Sequence, residues 1–379
     1  MRGFAAASVF LLHYGGGAQS HFLPLRLLGE TLKLGWAGVS LFFVLSGFLI
    51  TGILWDGFHR EHWWRNFYIR RSLRIFPLYY LALLLALIIV FTVDAGKGRP
   101  ALLLLYSFYL QNVPALAAHF HQFPHVWLDH FWSLAVEEQF YLIWPFLLFA
   151  VRGKNRRFAL ALYASGWALS LLFRVSIFAF HLSADWATAF LAGRAGELCA
   201  GAFLAILIRG TSAQAERVLR NAPLIAAGGA MALVLILALC RSTSPQNALI
   251  GTCGISAFSI LFTGIVASCL SPNLIQRAFS ARWLRQLGKI SYGFYVYHLL
   301  LRAQFTWIAT HLVPHQSRDA SLAMTALVAG VGTLIIASVS FYTYESFFLH
   351  LKKRFEISVP VSLNTATGPT EDELQNIAG

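Results

Sequence analysis

The sequence predicts an all-α, polytopic integral membrane protein of about ten transmembrane helices, and three observations predict it. Hydrophobic residues make up 58% of the chain and charged ones only 12%, a balance too apolar for a soluble domain of this length. The apolar residues gather in runs of about 20, the length that spans a hydrocarbon core. Lys and Arg concentrate in alternate loops, as they do where those loops stay on one side of a bilayer. Nucleic acid is therefore not the expected partner, although the formal net charge is +13, because the basic residues form short clusters between apolar runs.

Ten spans can be drawn in order, at roughly 1–14, 34–54, 75–93, 132–151, 158–180, 187–208, 222–240, 248–270, 290–310 and 322–343. The first is short, which is expected to reflect missing first turns. It reads as a membrane helix and not a cleaved leader, since a leader rarely carries a histidine (His13) in register with an arginine (Arg2). The second span carries Gly35, Gly38, Ser46, Gly47 and Gly52, small residues that let membrane helices approach closely.

The segment 101–114 is apolar but short and ends at Pro114, so it is expected to be re-entrant or interfacial. Counting it as a span would put Arg152, Lys154, Arg156 and Arg157 opposite Arg60, Arg65, Arg70, Arg71 and Arg74, against the charge bias. In the fifth and sixth spans Arg174, Arg194 and Glu197 are ionisable. Arg194 and Glu197 are three apart and are expected to pair. Cys199, Cys240, Cys253 and Cys269 show no CxxC pattern and read as packing residues, with neither a disulfide framework nor a zinc site. The ninth span holds His298 and Arg302, both costly unless they face a polar interior.

The tail after Phe355 is polar and reads as disordered, giving a membrane domain of 1–350 and a tail of 351–379. The charge bias places both termini in the cytoplasm. The outward region 94–131 contains His119, His121, His125, Asp129 and His130, good ligand types for a transition metal. No tight spacing enforces a site, so no metal is expected.

The polar residues inside spans point to chemistry. Arg2 and His13 are eleven residues apart, which on a helix returns to within about 20° of the same face after a rise of roughly 16 Å. Ionisable groups on one membrane stripe normally face a cavity or a partner. Glu137 and Glu138 follow Trp132, an interfacial aromatic, and should lie about 8 to 9 Å inside the outer boundary. His13 should reach a comparable depth, so a contact with Glu138 or Glu137 is expected, as a site or as a structural ion pair. Arg71 and Arg74, one turn apart with Arg70 beside them, suit phosphate recognition or a plain topological anchor.

Taken together, RGFAAASVFLLHY, GWAGVSLFFVLSGFLIT, RRSLRIFPLYY, WSLAVEEQFYLIWP and GKISYGFYVYH resemble, in order, segments of the bacterial membrane-bound acyltransferase 3 family of O-acyltransferases. The resemblance implies an enzyme of the bacterial inner membrane that moves acetyl or another short acyl group from acyl-CoA to a sugar or glycolipid acceptor. It implies essential roles for Arg2 and His13, and it matches the family's arginine pair to Arg71 and Arg74 and its glutamate to Glu138. On that basis His13 is expected as the base or acyl-handling residue, Glu138 as its orienter, and Arg2 as a deep contact to the donor. Arg71 and Arg74 would hold the donor's phosphates, with Glu137, His298 and Ser46 in support.

The sequence departs from the family at Glu345, where Ser346 and Phe347 follow in place of a nearby proline. No fused esterase-like domain is expected after the last span. The alternative from another class is a secondary transporter or lipid-linked glycan flippase with a buried proton relay. The absence of an internal repeat argues against it.

Overall fold

The computed structural model describes residues 1–15, 23–58, 61–93, 102–117, 125–151, 154–313 and 318–355, which form helices and no strand. Eight helical segments are long and apolar enough to cross a membrane. A shorter helix at the start and a broken pair near residue 301 complete the expected set of about ten. We label the membrane helices α1 (Arg2–Gly15), α2 (Ala37–Gly57), α3 (Trp63–Thr92), α4 (Trp132–Val151), α5 (Arg156–Ala179) and α6 (Leu191–Leu207). They continue as α7 (Ser212–Cys240), α8 (Ile255–Ser268), α9 (Ser291–Leu300), α10 (Arg302–Leu312) and α11 (Arg318–Ser340).

The centre of the bundle is α2. Its apolar window is 89% buried, against 22% for α5 and 17% for α7, so the latter two present most of their surface to lipid. Glycine makes the central position possible. A Cβ at Gly47 would overlap the Leu198 carbonyl oxygen of α6, and one at Gly201 of α6 would overlap the Val44 carbonyl of α2. The two backbones therefore touch through reciprocal small residues. On the side of the basic loops, Arg209 holds Asp56 through two bonds of 2.8 and 2.7 Å, joining the end of α2 to the chain after α6.

Three sequence expectations change. The third membrane helix begins at Trp63, well before residue 75, so Arg70, Arg71 and Arg74 lie within the helix and not at its mouth. The ninth span is two helices meeting at Leu301, which sets His298 and Arg302 on either side of a break. The expected domain boundary at 350 falls inside the helix Ser346–Lys353; residues 356–379 lie outside the described residues, as do His119 and His121.

The described part of the segment, 102–114, dips into the bundle without crossing it. It forms a short helix, Leu102–Ser107, then a turn with Tyr109 at φ 55°, then Pro114–Ala117. Tyr79 donates to the Tyr106 carbonyl (2.8 Å) and Tyr80 to that of Ser107 (3.1 Å). Tyr79 lies about 20 Å along α3 from Thr92, which measures the depth reached. Asn112 and Gln139 exchange amide hydrogen bonds of 2.9 and 2.7 Å, and Gln139 also donates to the Tyr109 carbonyl (2.8 Å). Irregular backbone survives at membrane depth where protein groups satisfy it.

Candidate active site

Two polar clusters share the core, and α1 and α9 connect them. The first is a cavity of about 70 Å³ lined by Arg2, Ser46, Arg71, Arg74, Glu137, Glu138 and Tyr141, with Ser291, Tyr292 and Tyr295 of α9 on its far wall. Arg2 opens α1, while Arg71 and Arg74 are adjacent turns of α3. Three guanidiniums thus face two carboxylates. Ser46 of α2 donates to Glu137 Oε1 at 2.6 Å and lies 3.1 Å from the Tyr141 hydroxyl. The Arg71 guanidinium sits 4.6 Å over the Tyr141 ring, a cation–π contact that orients the fork. Glu138 Oε1 is buried and has no hydrogen-bond partner among the described residues.

The second cluster is built of histidines. His13 Nδ1 lies 3.1 Å from His298 Nε2, and the His298 ring is 4.9 Å from that of His130. The tautomers follow from what each nitrogen meets. His298 Nδ1 is 2.6 Å from the Tyr295 carbonyl oxygen, which only accepts, so Nδ1 carries the proton. In the neutral ring Nε2 is then an acceptor, and His13 Nδ1–H donates to it. The lone pair of His13 then falls on Nε2. His130 Nε2 faces the Val296 carbonyl at 3.2 Å. Tyr14, next to His13, donates to the His298 carbonyl at 2.6 Å.

The expected partnership of His13 with a carboxylate is corrected by this arrangement. Glu137 and Glu138 line the cavity at the Arg2 end of α1, roughly 16 Å of helix rise from His13. The cause is the depth at which α1 begins: Arg2 stands level with Glu137, and His13 continues outward to α9. His298 takes the place expected of Glu138, against the imidazole. Arg2 in turn joins Arg71 and Arg74 in one cavity. Tyr295 links the two clusters, since its ring lines the cavity, its hydroxyl meets Ser133 Oγ at 2.6 Å, and its carbonyl fixes His298.

Glu345 is also turned inward. It closes a π-helical turn, Phe341–Glu345, and Ser340 donates to its Oε1 at 3.0 Å. Such turns re-aim side chains, and this one brings the carboxylate within electrostatic range of Arg74. The expected Arg194–Glu197 pair is present at 2.9 Å. Arg194 also donates to Ser40 (2.9 Å), and Arg174 binds Ser170, Ser256 and the Gly193 carbonyl. Buried ionic groups of this kind are retained only with such partners. Among the described residues no group of three metal-ligating side chains converges.

His130, Tyr295 and Ser133 were not singled out by sequence as neighbours of His13. The signal was available in part: Tyr295 stands one helical turn before His298, and His130 two residues before Trp132.

A family model described as an acyltransferase domain matches residues 1–343. The chain is 26% identical to the peptidoglycan O-acetyltransferase of Listeria monocytogenes over 83% of its own length and 51% of the relative's. It is 28% identical to a putative O-acetyltransferase of Staphylococcus aureus (70% and 45%) and to a putative peptidoglycan O-acetyltransferase of Bacillus subtilis (73% and 46%). It thus spans about half the length of the curated relatives it matches. No solved structure matches the chain.

Proposed function

The chain belongs to the acyltransferase domain family, and from that premise we propose that it transfers an acyl group, acetyl in the simplest case, from acyl-CoA to a hydroxyl of a glycan. The names of its relatives favour peptidoglycan or a related amino-sugar polymer as acceptor. The observation that carries the reading is the His13–His298 pair, which leaves His13 Nε2 unprotonated at one end of a helix whose other end enters a cavity of three arginines.

Each residue then has a task. Arg2, Arg71 and Arg74 suit the phosphates of coenzyme A, since arginine forks bind such oxygens in pairs. The donor supplies an activated thioester carbonyl. The roughly 16 Å of α1 between Arg2 and His13 suits an extended pantetheine arm. His13 Nε2 takes the proton of the acceptor hydroxyl, whose oxygen bonds to the acyl carbon as the carbon–sulfur bond breaks. The imidazolium returns that proton to the departing sulfur. His298 holds the ring in register, and Arg302, within electrostatic range of His13, stabilises negative charge developing on the carbonyl oxygen.

On this reading the basic loops are cytoplasmic and the acceptor is met on the opposite face of the bacterial inner membrane. The test is release of free thiol from acetyl-CoA by the purified protein in the presence of a peptidoglycan fragment. Acceptor-dependent release that is lost in His13→Ala is expected; a transporter would give none, and an unchanged rate in His13→Ala would overturn the assignment.

A further inference from the structure

A second cavity opens on the face away from the basic loops, with a volume of about 350 Å³. It lies between the re-entrant segment, the turn Asp129–Phe131 and the stretches 185–189 and 245–246. Its lining combines two indole rings, Trp36 and Trp132, with the amides of Gln111, Asn112 and Gln246, the carboxylates of Asp129 and Asp185 and the guanidinium of Arg194. Flat aromatic faces beside amides, carboxylates and an arginine match the chemistry of a sugar, whose C–H face stacks on an aromatic ring while its hydroxyls and N-acetyl group hydrogen-bond around the edge.

Two details indicate a ligand. Gln111 is 3% exposed, and both its donor bonds are fixed, to the Tyr79 hydroxyl (3.2 Å) and the Phe131 carbonyl (2.9 Å). Those bonds settle the amide orientation and leave Oε1 buried with no partner among the described residues, a desolvated acceptor that a donor from a ligand would satisfy. The second detail is position. Asp129 lines this cavity, while the next residue, His130, stacks its ring edge against His298, itself 5.2 Å between centroids from His13. A single turn of chain separates the cavity from the histidines.

We propose that this cavity is a glycan subsite, which binds a sugar unit of the acceptor next to the unit that receives the acyl group at His13. The inference rests on the acyltransferase reading. Trp36, fixed by its bond to the Thr243 carbonyl (2.9 Å), and Trp132 supply stacking faces. Gln111 Oε1 accepts from a hydroxyl or amide N–H, and the Asp185–Gln246 pair (3.2 Å) closes the rim.

The test is binding of a β-1,4-linked N-acetylglucosamine tetramer to the purified full chain, read by tryptophan fluorescence and kept separate from turnover. The double variant Asp185→Ala/Gln246→Ala alters exposed side chains only, and Trp36→Ala removes a stacking face. Both should weaken tetramer binding by about tenfold or more, equivalent to about 1.4 kcal/mol, while His13→Ala binds as the wild type does. With the monosaccharide as acceptor, the double variant should turn over at the wild-type rate, and its preference for the tetramer should fall. Absence of tetramer binding to the wild type, or equal binding by all variants, would overturn the subsite. Tetramer binding without any acyl transfer would leave the subsite standing and remove the acyltransferase reading.

Discussion

At the scale of residues, one carbonyl sets the chemistry. The Tyr295 oxygen accepts from His298 Nδ1, and that choice passes through His298 to fix which nitrogen of His13 is free. On the proposed reading His298 is a positioning residue. His298→Ala is expected to lower kcat by about 10²-fold or more, in the range of a misoriented general base. His298→Gln, which can present an amide oxygen to His13 Nδ1–H, should recover part of the rate with little change in donor KM. Equal loss in both variants would point to a merely structural histidine. At the other cluster, Arg71→Lys keeps the charge but loses the fork. It should raise the KM for acetyl-CoA by roughly tenfold, about 1.4 kcal/mol, and leave kcat within a small factor; steady-state kinetics across donor concentration checks this.

Arg2 and His13 were legible in the sequence as one stripe because helical periodicity is intrinsic to the chain. Their partners were not. Depth had to be inferred from Trp132 as an outer marker, and that inference placed Glu138 beside His13. The level at which α1 starts, and with it the pairing to His298, is set by packing across the bundle, which sequence spacing does not encode.

Between residue and bundle, elements carry the site through small residues and breaks. The contact of α2 with α6 depends on Gly47 and Gly201 meeting opposing carbonyls. Gly47→Leu must displace a backbone and should destabilise the fold by about 1 to 3 kcal/mol or more, seen as a lower unfolding temperature in detergent; an unchanged temperature would refute the close approach. The glycines of this helix were readable as packing residues. The break at Leu301 was not, because the run 290–310 is uniformly apolar and aromatic around His298 and Arg302. The re-entrant segment is legible from its short length, Pro114 and the charge balance, while its anchor, the Asn112–Gln139 exchange, depends on residues far apart in sequence. Gln139→Leu leaves Asn112 and the Tyr109 carbonyl unsatisfied, so a comparable loss of thermal stability is expected there.

For the whole molecule, the central claim is a route through the membrane: donor phosphates at the arginine cavity, base at the histidines, acceptor on the far face. On the proposed reading eight long spans with a short α1 and a broken α9–α10 pair build this route, since the short and broken helices are those that carry Arg2, His13 and His298. Composition and charge pattern were enough to read the membrane architecture, because the bilayer constrains length and polarity so strongly. The most direct measurement uses oriented proteoliposomes, with labelled acetyl-CoA supplied only on the side of the basic loops and glycan only on the other. The account predicts label on the glycan with the wild type and a loss of about 10²-fold or more with His13→Ala. Labelling that requires donor and glycan on the same side, or that persists in His13→Ala, would contradict it.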